Sequence, residues 1–288
     1  RATLHLDRDR HNRVDFPGDE DWFRFEACGG QTYLVTMATD SAAAGPLEFP
    51  ELVLYDVHGH ALTSTFGYDE RPAVLGFRAA VDTTFYAAAT SWDVDGYAIE
   101  QPGDYVIGID RICDVAGDAS TAATLRLDRD RRNRIDYLGD EDWFRFEVAD
   151  RRTYVVTLGG EEGGDVAPRD VELILYDAAG NVIAGVSVVT GEPRRVGYEA
   201  AGEATLFAAA AGRWETGAYV MSLDAIADIR GDTTTDARLA VGGEFASRID
   251  FAGDQDWVAL DLAAGTTYRI DLVADAAASA PLADPELA

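Results

Sequence analysis

Three pairs of aspartates, with one residue between the members of each pair, are the feature of this sequence best suited to chemistry. Each pair lies in a Gly-Asp-x-Asp motif that leads into an alternating apolar segment. Residues i and i+2 of a strand share a face, so both carboxylates of a pair lie within several ångströms of each other. Neighbouring negative charges raise one pKa or recruit a cation, and their oxygens suit Ca²⁺. We therefore predict calcium sites at Asp19 with Asp21, Asp140 with Asp142, and Asp254 with Asp256.

Acidic linkers before the second and third pairs could complete these sites, because Ca²⁺ takes six to eight oxygens. The pattern Asp-x-x-Gly-Asp supplies Asp114 and Asp118 before the second pair, and Asp228 and Asp232 before the third. No such linker precedes the first pair, so the prediction applies mainly to the other two. In the alternative interpretation, the aspartates cap turns and form ion pairs with the nearby arginines Arg10, Arg13, Arg131 and Arg134.

The tryptophans suggest packing in some positions and ligand contact in others. In the segment Trp22-Phe23-Arg24-Phe25, alternation assigns the two phenylalanines to the core and Trp22 to the opposite face. The same holds for Trp143 and Trp257, and we expect all three to have a structural role. Trp92 and Trp214 follow corresponding Ala-rich segments and are the candidates for contact with a ligand.

Catalytic chemistry has little support in the sequence. All four histidines lie in the first 60 residues, and the corresponding residues of the second repeat are Arg126, Arg132, Ala179 and Asn181. His58 and His60 could form a weak metal site, but a solvated hairpin fits the matching Asp-Ala-Ala-Gly-Asn turn better. No nucleophile elbow, zinc-protease helix or phosphate loop is present. We predict that the protein is not an enzyme.

Charge excludes two classes of partner. The chain has 24 basic and 52 acidic residues, which gives a net charge of −28. Such a polyanion is repelled by nucleic acid and by anionic membrane surfaces. The hydrophobic content of 47% supports a folded chain, and no apolar run approaches the roughly 18 residues of a membrane span.

The segments that carry the aspartate pairs are copies of one domain-sized repeat. The 21-residue segments that begin at Leu6 and Leu127 differ at only four positions, and a looser copy follows Arg248. We predict three units, at residues 1–113, 114–227 and 228–288. A complete unit is predicted to contain eight or nine short strands that alternate with period two between Gly, Asp and Pro turns. In the first unit these include Arg13–Phe16, Asp21–Ala27 and Thr32–Thr39, and the charged run Asp7–Asn12 before them is predicted as a salt-bridged surface turn. The fold class predicted is all-β, with tandem antiparallel β-sandwich domains of jelly-roll type.

The third unit contains only about half of the predicted strands. We expect residues after Ala288 or a neighbouring chain to complete it, because its apolar residues need an opposing sheet. These residues are Leu260, Leu262, Tyr268, Ile270 and Leu272.

The two cysteines occur together in the first unit and are both replaced by alanine in the second. Cys28 corresponds to Ala149 and Cys113 to Ala227. Joint replacement favours a disulfide between two strand ends, which would indicate an oxidising compartment. Two independent buried thiols are the alternative.

The order of motifs in a unit resembles the bacterial pre-peptidase C-terminal domain. These motifs are Gly-Asp-x-Asp-Trp-Phe, Thr-Tyr with an alternating strand, Leu-Tyr-Asp-x-x-Gly and Gly-x-Tyr. The resemblance implies a β-sandwich module of a secreted or surface protein. The related collagen-binding domains of clostridial collagenases bind calcium through linker and Asp-x-Asp carboxylates, which would implicate the same aspartates here.

Two functions follow from these observations. The first is a non-enzymatic, calcium-stabilised repeat region of an extracellular or cell-surface protein, acting as a filament, stalk or adhesin. Its partners would be neighbouring repeats, copies of the same chain, or a polysaccharide or protein matrix, without nucleic acid or membrane insertion. The second is a set of accessory modules of a secreted hydrolase, which bind substrate or are removed on maturation.

Overall fold

The computed structural model describes residues 2–68, 71–92, 102–160, 171–186, 193–274 and 286–287. It forms β-sheets that pack in pairs, so the predicted all-β sandwich fold is confirmed. The predicted unit boundaries, after residues 113 and 227, stay predictions. No helix in the described ranges is long and apolar enough to cross a membrane.

The first sandwich contains nine strands in two sheets, with the orders β1-β3-β8-β5-β6 and β2-β9-β4-β7. All neighbours are antiparallel except β1 and β3. The strands are β1 Ala2–Thr3, β2 Arg10–Val14, β3 Asp21–Ala27, β4 Thr32–Thr39, β5 Pro50–Tyr55, β6 Ala61–Phe66, β7 Ala73–Arg78, β8 Thr83–Ser91 and β9 Gly103–Ile112.

The second sandwich repeats the arrangement with eight strands, in the sheet orders β10-β17-β12-β15 and β11-β16-β13-β14. The strands are β10 Arg131–Ile135, β11 Glu141–Val148, β12 Thr153–Gly159, β13 Val171–Tyr176, β14 Val182–Val186, β15 Arg194–Glu199, β16 Ala204–Gly212 and β17 Gly217–Ile226.

The strand order identifies the sandwich as a jelly roll. With β2 to β9 taken as eight consecutive strands, the first, eighth, third and sixth form one sheet and the second, seventh, fourth and fifth form the other. β10 to β17 follow the same order. Several strand bounds differ from the sequence prediction by a few residues. Among them, β2 begins at Arg10, inside the charged run that we predicted as a surface turn.

Alternation along β3 and β11 builds the cores as predicted. Phe23 and Phe25 are buried, whereas Trp22 lies on the outer face, where its ring stacks on Tyr55 at 4.3 Å between centroids. Trp143 stacks in the same way on Tyr176 at 4.0 Å, in a cluster separate from the main core. The side chains of the aspartate motif are therefore presented by a strand that is anchored on both faces.

The third unit contains less β-sheet than the first two. In residues 228–274 the structure contains one isolated bridge, between Arg238 and Ala259, and no longer strand. Leu262, Ile270 and Leu272 are exposed there.

Adjacent units meet through one repeated contact. A Cβ placed on Gly76 of β7 would lie 2.0 Å from the ring of Tyr137, so only glycine allows that ring to pack on the strand. In the same way, the ring of Phe251 packs on Gly197 of β15, where an added Cβ would lie 2.2 Å from the nearest ring atom. Both contacts lie between a unit and the one that follows it. We call the two junctions the first joint and the second joint.

Candidate metal centres

Three aspartates converge at the first joint. Asp114 follows β9, Asp140 lies in the turn before β11, and Asp142 is the second residue of β11. One oxygen from each lies within 4.8 Å of the other two. The linker and the Gly-Asp-x-Asp motif are thus brought together as predicted.

Each motif carboxylate of this cluster has one oxygen fixed and one free. Oδ2 of Asp140 accepts a 2.7 Å hydrogen bond from the backbone N–H of Asp136, and Oδ2 of Asp142 accepts one of 2.6 Å from the phenol of Tyr219. Oδ1 of Asp114, Asp140 and Asp142 is buried in each case without a hydrogen-bond partner. Since buried polar atoms are nearly always satisfied, these three unpartnered oxygens make the cluster one that could hold a cation.

The electrostatics of the cluster also favour a cation. Asp140 and Asp142 are 1% and 0% exposed. Burial raises the pKa of Asp140 to about 7, and the charge of Asp114 adds to this effect. Burial, with the neighbouring Asp140, also raises the pKa of Asp142, although the bond from Tyr219 opposes it. Without a counterion, the folded chain therefore resists ionisation of these groups.

A second cluster lies at the second joint. One oxygen each of Glu199, Asp228 and Asp254 lies within 4.8 Å of the others. Oδ2 of Asp254 accepts a 2.7 Å bond from the N–H of Asp250, while its Oδ1 is buried without a partner. Burial raises the pKa of Asp254 to about 6. Asp228 and Asp256 also carry a buried, unpartnered oxygen, so the pattern of the first joint recurs.

Two of the predicted ligands, Asp118 and Asp232, lie outside both clusters. Oδ1 of Asp118 accepts the N–H of Ser120 at 2.7 Å. Asp232 accepts the N–H of Thr234 at 2.7 Å and pairs with Arg230 at 2.9 Å. Local turns and an ion pair satisfy these carboxylates, which corrects the prediction that they are ligands.

The first aspartate pair has the same hydrogen bonds without a third carboxylate. Asp19 accepts the N–H of Asp15 at 2.8 Å, and Asp21 accepts the phenol of Tyr105 at 2.7 Å. Within the described residues, no further acidic side chain joins this pair at cluster distance. The pair therefore lacks the linker component that the other two have.

The alternative interpretation holds in part: Asp19, Asp140 and Asp254 each cap a turn by accepting the backbone N–H four residues earlier, whereas Arg13 and Arg134 pair with other acidic residues. Arg13 contacts Asp15 and Asp104, and Arg134 contacts Asp136. Those contacts leave the clustered oxygens free.

Glu199 is the cluster residue that sequence reasoning missed. It ends β15, and the corresponding residue of the first sandwich is Arg78, which ends β7. Comparison of the repeats therefore does not identify Glu199 as a cluster residue, and the sequence contains no other signal for it. Only the packing of β15 against the linker shows that it belongs to the site.

The candidate ligand-contact tryptophans differ in exposure. Trp92 is partly buried and stacks on Phe66 at 4.1 Å with an interplanar angle of 12°. Trp214 is 75% exposed and follows Arg213, which pairs with Glu172 at 3.1 Å. Of these two, Trp214 presents the open ring face.

The predicted disulfide is absent, because Cys28 and Cys113 are exposed free thiols. They follow β3 and β9, which belong to opposite sheets. The alternative of buried thiols is also wrong.

Comparisons with known proteins show only distant likeness. No protein-family model and no curated protein matches the chain. Among solved structures, the CUB1-EGF-CUB2 domain of human MASP-1/3 has 8% identity and a TM-score of 0.22, covering 75% of this chain and 99% of that one. The corresponding rat MASP-1 domains have 10% identity and a TM-score of 0.22, with 74% and 97% covered.

A third similar structure is the M60 catalytic domain with CBM51-1 and CBM51-2 domains from Clostridium perfringens ZmpB. It has 8% identity and a TM-score of 0.23, covering 71% of this chain and 33% of that one. TM-scores this low do not support a fold assignment. The assignment therefore rests on the strand order itself.

Proposed function

We propose that this chain is a non-enzymatic, calcium-stabilised tandem β-sandwich array. The observation that carries the proposal is the convergence of Asp114, Asp140 and Asp142 at the first joint, where one carboxylate oxygen of each lies within 4.8 Å of the others and each Oδ1 is buried without a partner. A cation there satisfies all three oxygens and removes the repulsion between the carboxylates. The ion then stabilises the linker on the second sandwich.

Calcium fits these donors better than other common ions. The clusters contain carboxylate oxygens, and the buried, unpartnered hydroxyl of Thr32 is beside Asp114. Hard oxygen donors select Ca²⁺ or Mg²⁺ over Zn²⁺ and Cu²⁺, which prefer imidazole or thiolate. Ligands drawn from a linker, a turn and a strand suit the irregular coordination of Ca²⁺ rather than the strict octahedron of Mg²⁺.

A structural or adhesive role outside the cell is the function that such joints serve best. Repeated joints with the same Gly-aromatic contact build length with a fixed geometry between units. The resemblance to pre-peptidase C-terminal domains supports a secreted or surface location. Among the described residues, His11 and His60 contact the aspartates Asp40 and Asp56 at the surface. We therefore assign neighbouring repeats, further copies of the chain or an extracellular matrix as partners.

The test is calcium titration of the metal-free chain by calorimetry, with melting temperature and small-angle scattering measured in parallel. We expect two calcium ions to bind per chain and the melting temperature to rise. Small-angle scattering should show a narrower distribution of chain shapes, and Mg²⁺ should have weaker effects on all three measurements. Asp140→Asn should remove one ion, while Asp19→Asn, the corresponding change in the first unit, should remove none. A wild-type chain that binds no calcium contradicts the proposal.

A second candidate function is binding of a polymeric substrate as an accessory module of a hydrolase. The exposed ring of Trp214 favours it, because an open indole face can stack on a sugar ring. Co-sedimentation with insoluble polysaccharides distinguishes the two functions. Binding that is lost in Trp214→Ala and unaffected by calcium would support the accessory module.

A further inference from the structure

The two joints differ at one position that faces the cation cluster. Arg78 ends β7 of the first sandwich, and Glu199 ends β15 of the second at the corresponding place. At the first joint all three clustered carboxylates belong to the linker and the downstream unit. At the second joint one clustered carboxylate, Glu199, belongs to the upstream sandwich. The difference is thus one of charge and also of which unit supplies the ligand.

A compensating change in the linker accompanies Glu199. At the first joint, the bond from Ser120 and the nearby charge of Arg78 lower the pKa of Asp118. At the second joint Asp232, which corresponds to Asp118, pairs instead with Arg230 of the linker at 2.9 Å. The basic partner has therefore moved from the strand to the linker. This exchange leaves the strand position open to a carboxylate.

The backbone holds Glu199 at the cluster. The N–H of Gly231 lies 3.2 and 3.1 Å from its two carboxylate oxygens, which fixes the side chain against the linker. A Cβ on Gly231 would lie 2.8 Å from the backbone oxygen of Gln255 and 3.1 Å from Oε1 of Glu199, so the linker packs this closely only with glycine there. The adjacent Asp254 is 9% exposed and its Oδ1 has no partner. Asp254 therefore offers a free oxygen beside a carboxylate that the linker already orients.

We infer that Glu199 is a ligand of the calcium ion at the second joint, so that this ion links the upstream sandwich directly to the unit that follows. Asp228 of the linker and Asp254 of the downstream unit supply the other clustered carboxylates. The inference rests on the proposed calcium function and extends it. At the first joint the upstream unit offers the hydroxyl of Thr32 and the cation of Arg78, so the ion there is held by the linker and the downstream unit.

Each cluster brings three carboxylates together, so the joints differ in which unit supplies a ligand and not in the number of carboxylates. Calcium should restrict motion between units more at the second joint, because the ion itself bridges it. The second joint is then the one whose stiffness depends on calcium.

The experiment compares Glu199→Gln with Glu203→Gln in the full chain. The glutamine side chain of the first variant keeps an amide oxygen for the N–H of Gly231, so the local fold is retained. Glu203 is an exposed residue outside the cluster, and its substitution gives the same change in charge. Each variant is titrated with calcium by calorimetry. Glu199→Gln should weaken one of the two sites by on the order of tenfold or more, leaving the other unchanged, and Glu203→Gln should leave both unchanged.

Distances between spin labels provide a second readout. In a background with Cys28→Ala and Cys113→Ala, labels at the exposed positions Val182 and Val241 span the second joint, and labels at Leu62 and Val182 span the first. Calcium should narrow the distance distribution across the second joint in the parent chain. Glu199→Gln should abolish this narrowing and leave the first joint as it was.

The outcomes separate the inference from the proposal beneath it. If Glu199→Gln still binds two ions with parental affinity and the second joint still narrows, Glu199 is not a ligand, although the joints bind calcium. If the parent chain binds no calcium, both the proposed function and this inference are wrong. If affinity falls and both joints respond equally, Glu199 contributes charge without bridging, which also overturns the inference.

Discussion

The phenol of Tyr219 donates a 2.6 Å hydrogen bond to Oδ2 of Asp142 across the two sheets of the second sandwich. The first sandwich has the same bond, of 2.7 Å, between Tyr105 and Asp21. In the second sandwich the bond fixes one oxygen of a residue of the first-joint cluster and leaves its Oδ1 buried without a partner. The tyrosine is thus a positioning residue for the proposed ligand.

Removal of this phenol should weaken calcium binding at the first joint. Tyr219→Phe leaves Asp142 free to rotate, and loss of such an orienting bond lowers metal affinity by about 10- to 100-fold. The free energy of unfolding should fall by about 1–3 kcal/mol, since a buried acceptor loses its partner. Calorimetric titration and urea unfolding measure the two effects. Tyr105→Phe is the control: it should destabilise the first sandwich without changing calcium affinity.

Metal-free protein should become less stable as the pH rises from about 4 to about 8. Burial raises the pKa of Asp140 to about 7 and that of Asp254 to about 6, both above the value near 4 of an unfolded aspartate. Between the unfolded and the folded pKa values, the folded chain binds more protons than the unfolded chain. The stability that these groups contribute at low pH is therefore lost as the pH rises through their folded pKa values. Bound calcium should flatten this dependence. Melting temperature against pH, with chelator and with calcium, is the measurement; a metal-free curve that rises over this range would refute the assignment.

A methyl group at the Gly-aromatic contact should loosen a joint. Gly76→Ala places a Cβ 2.0 Å from the Tyr137 ring, so the ring or the strand must move. We expect a broader scattering envelope, with each sandwich retaining its own unfolding transition. Gly185→Ala is the control, because its nearest neighbour would lie at an ordinary 3.6 Å. An unchanged envelope for Gly76→Ala would show that the contact does not set the geometry of the joint.

The fold could be predicted well because its local signals agree with one another. Alternation along Asp21–Ala27 and Thr32–Thr39 gave the bounds of β3 and β4, since one face of each strand is buried and the other is not. The start of β2 was missed because its pairing with β9 extends into the charged run at Arg10. Distant pairing, rather than local pattern, decides that boundary.

The site could be predicted only where the ligand is part of a repeated motif. Asp140 and Asp142 follow from their spacing, and Asp114 from the linker pattern. Glu199 could not be found, because it enters the cluster through packing of β15 on the linker. Asp232 looked equivalent to a ligand, but its ion pair with Arg230 depends on a side chain whose counterpart is alanine.

Both thiols should react in the native chain. Cys28 and Cys113 are exposed and unbonded, so a thiol reagent should titrate two groups per chain without denaturant or reductant. Cys28→Ala and Cys113→Ala should each lower the count to one. If the denatured, unreduced protein has no reactive thiol, the disulfide predicted from the sequence exists after all.

The buried tryptophan of the second sandwich should contribute more stability than its counterpart in the first. Trp143 is 7% exposed, whereas Trp22 is 36% exposed. Trp143→Ala should lower the free energy of unfolding by about 3–5 kcal/mol, the usual loss for a large buried aromatic. Trp22→Ala should have a smaller effect, in proportion to its exposure. Trp214→Ala, at 75% exposure, should stay within about 0.5 kcal/mol of the parent. Urea unfolding, monitored by circular dichroism, measures the free energy of unfolding of the three variants. Equal losses of stability for Trp143→Ala and Trp214→Ala would contradict the burial of Trp143.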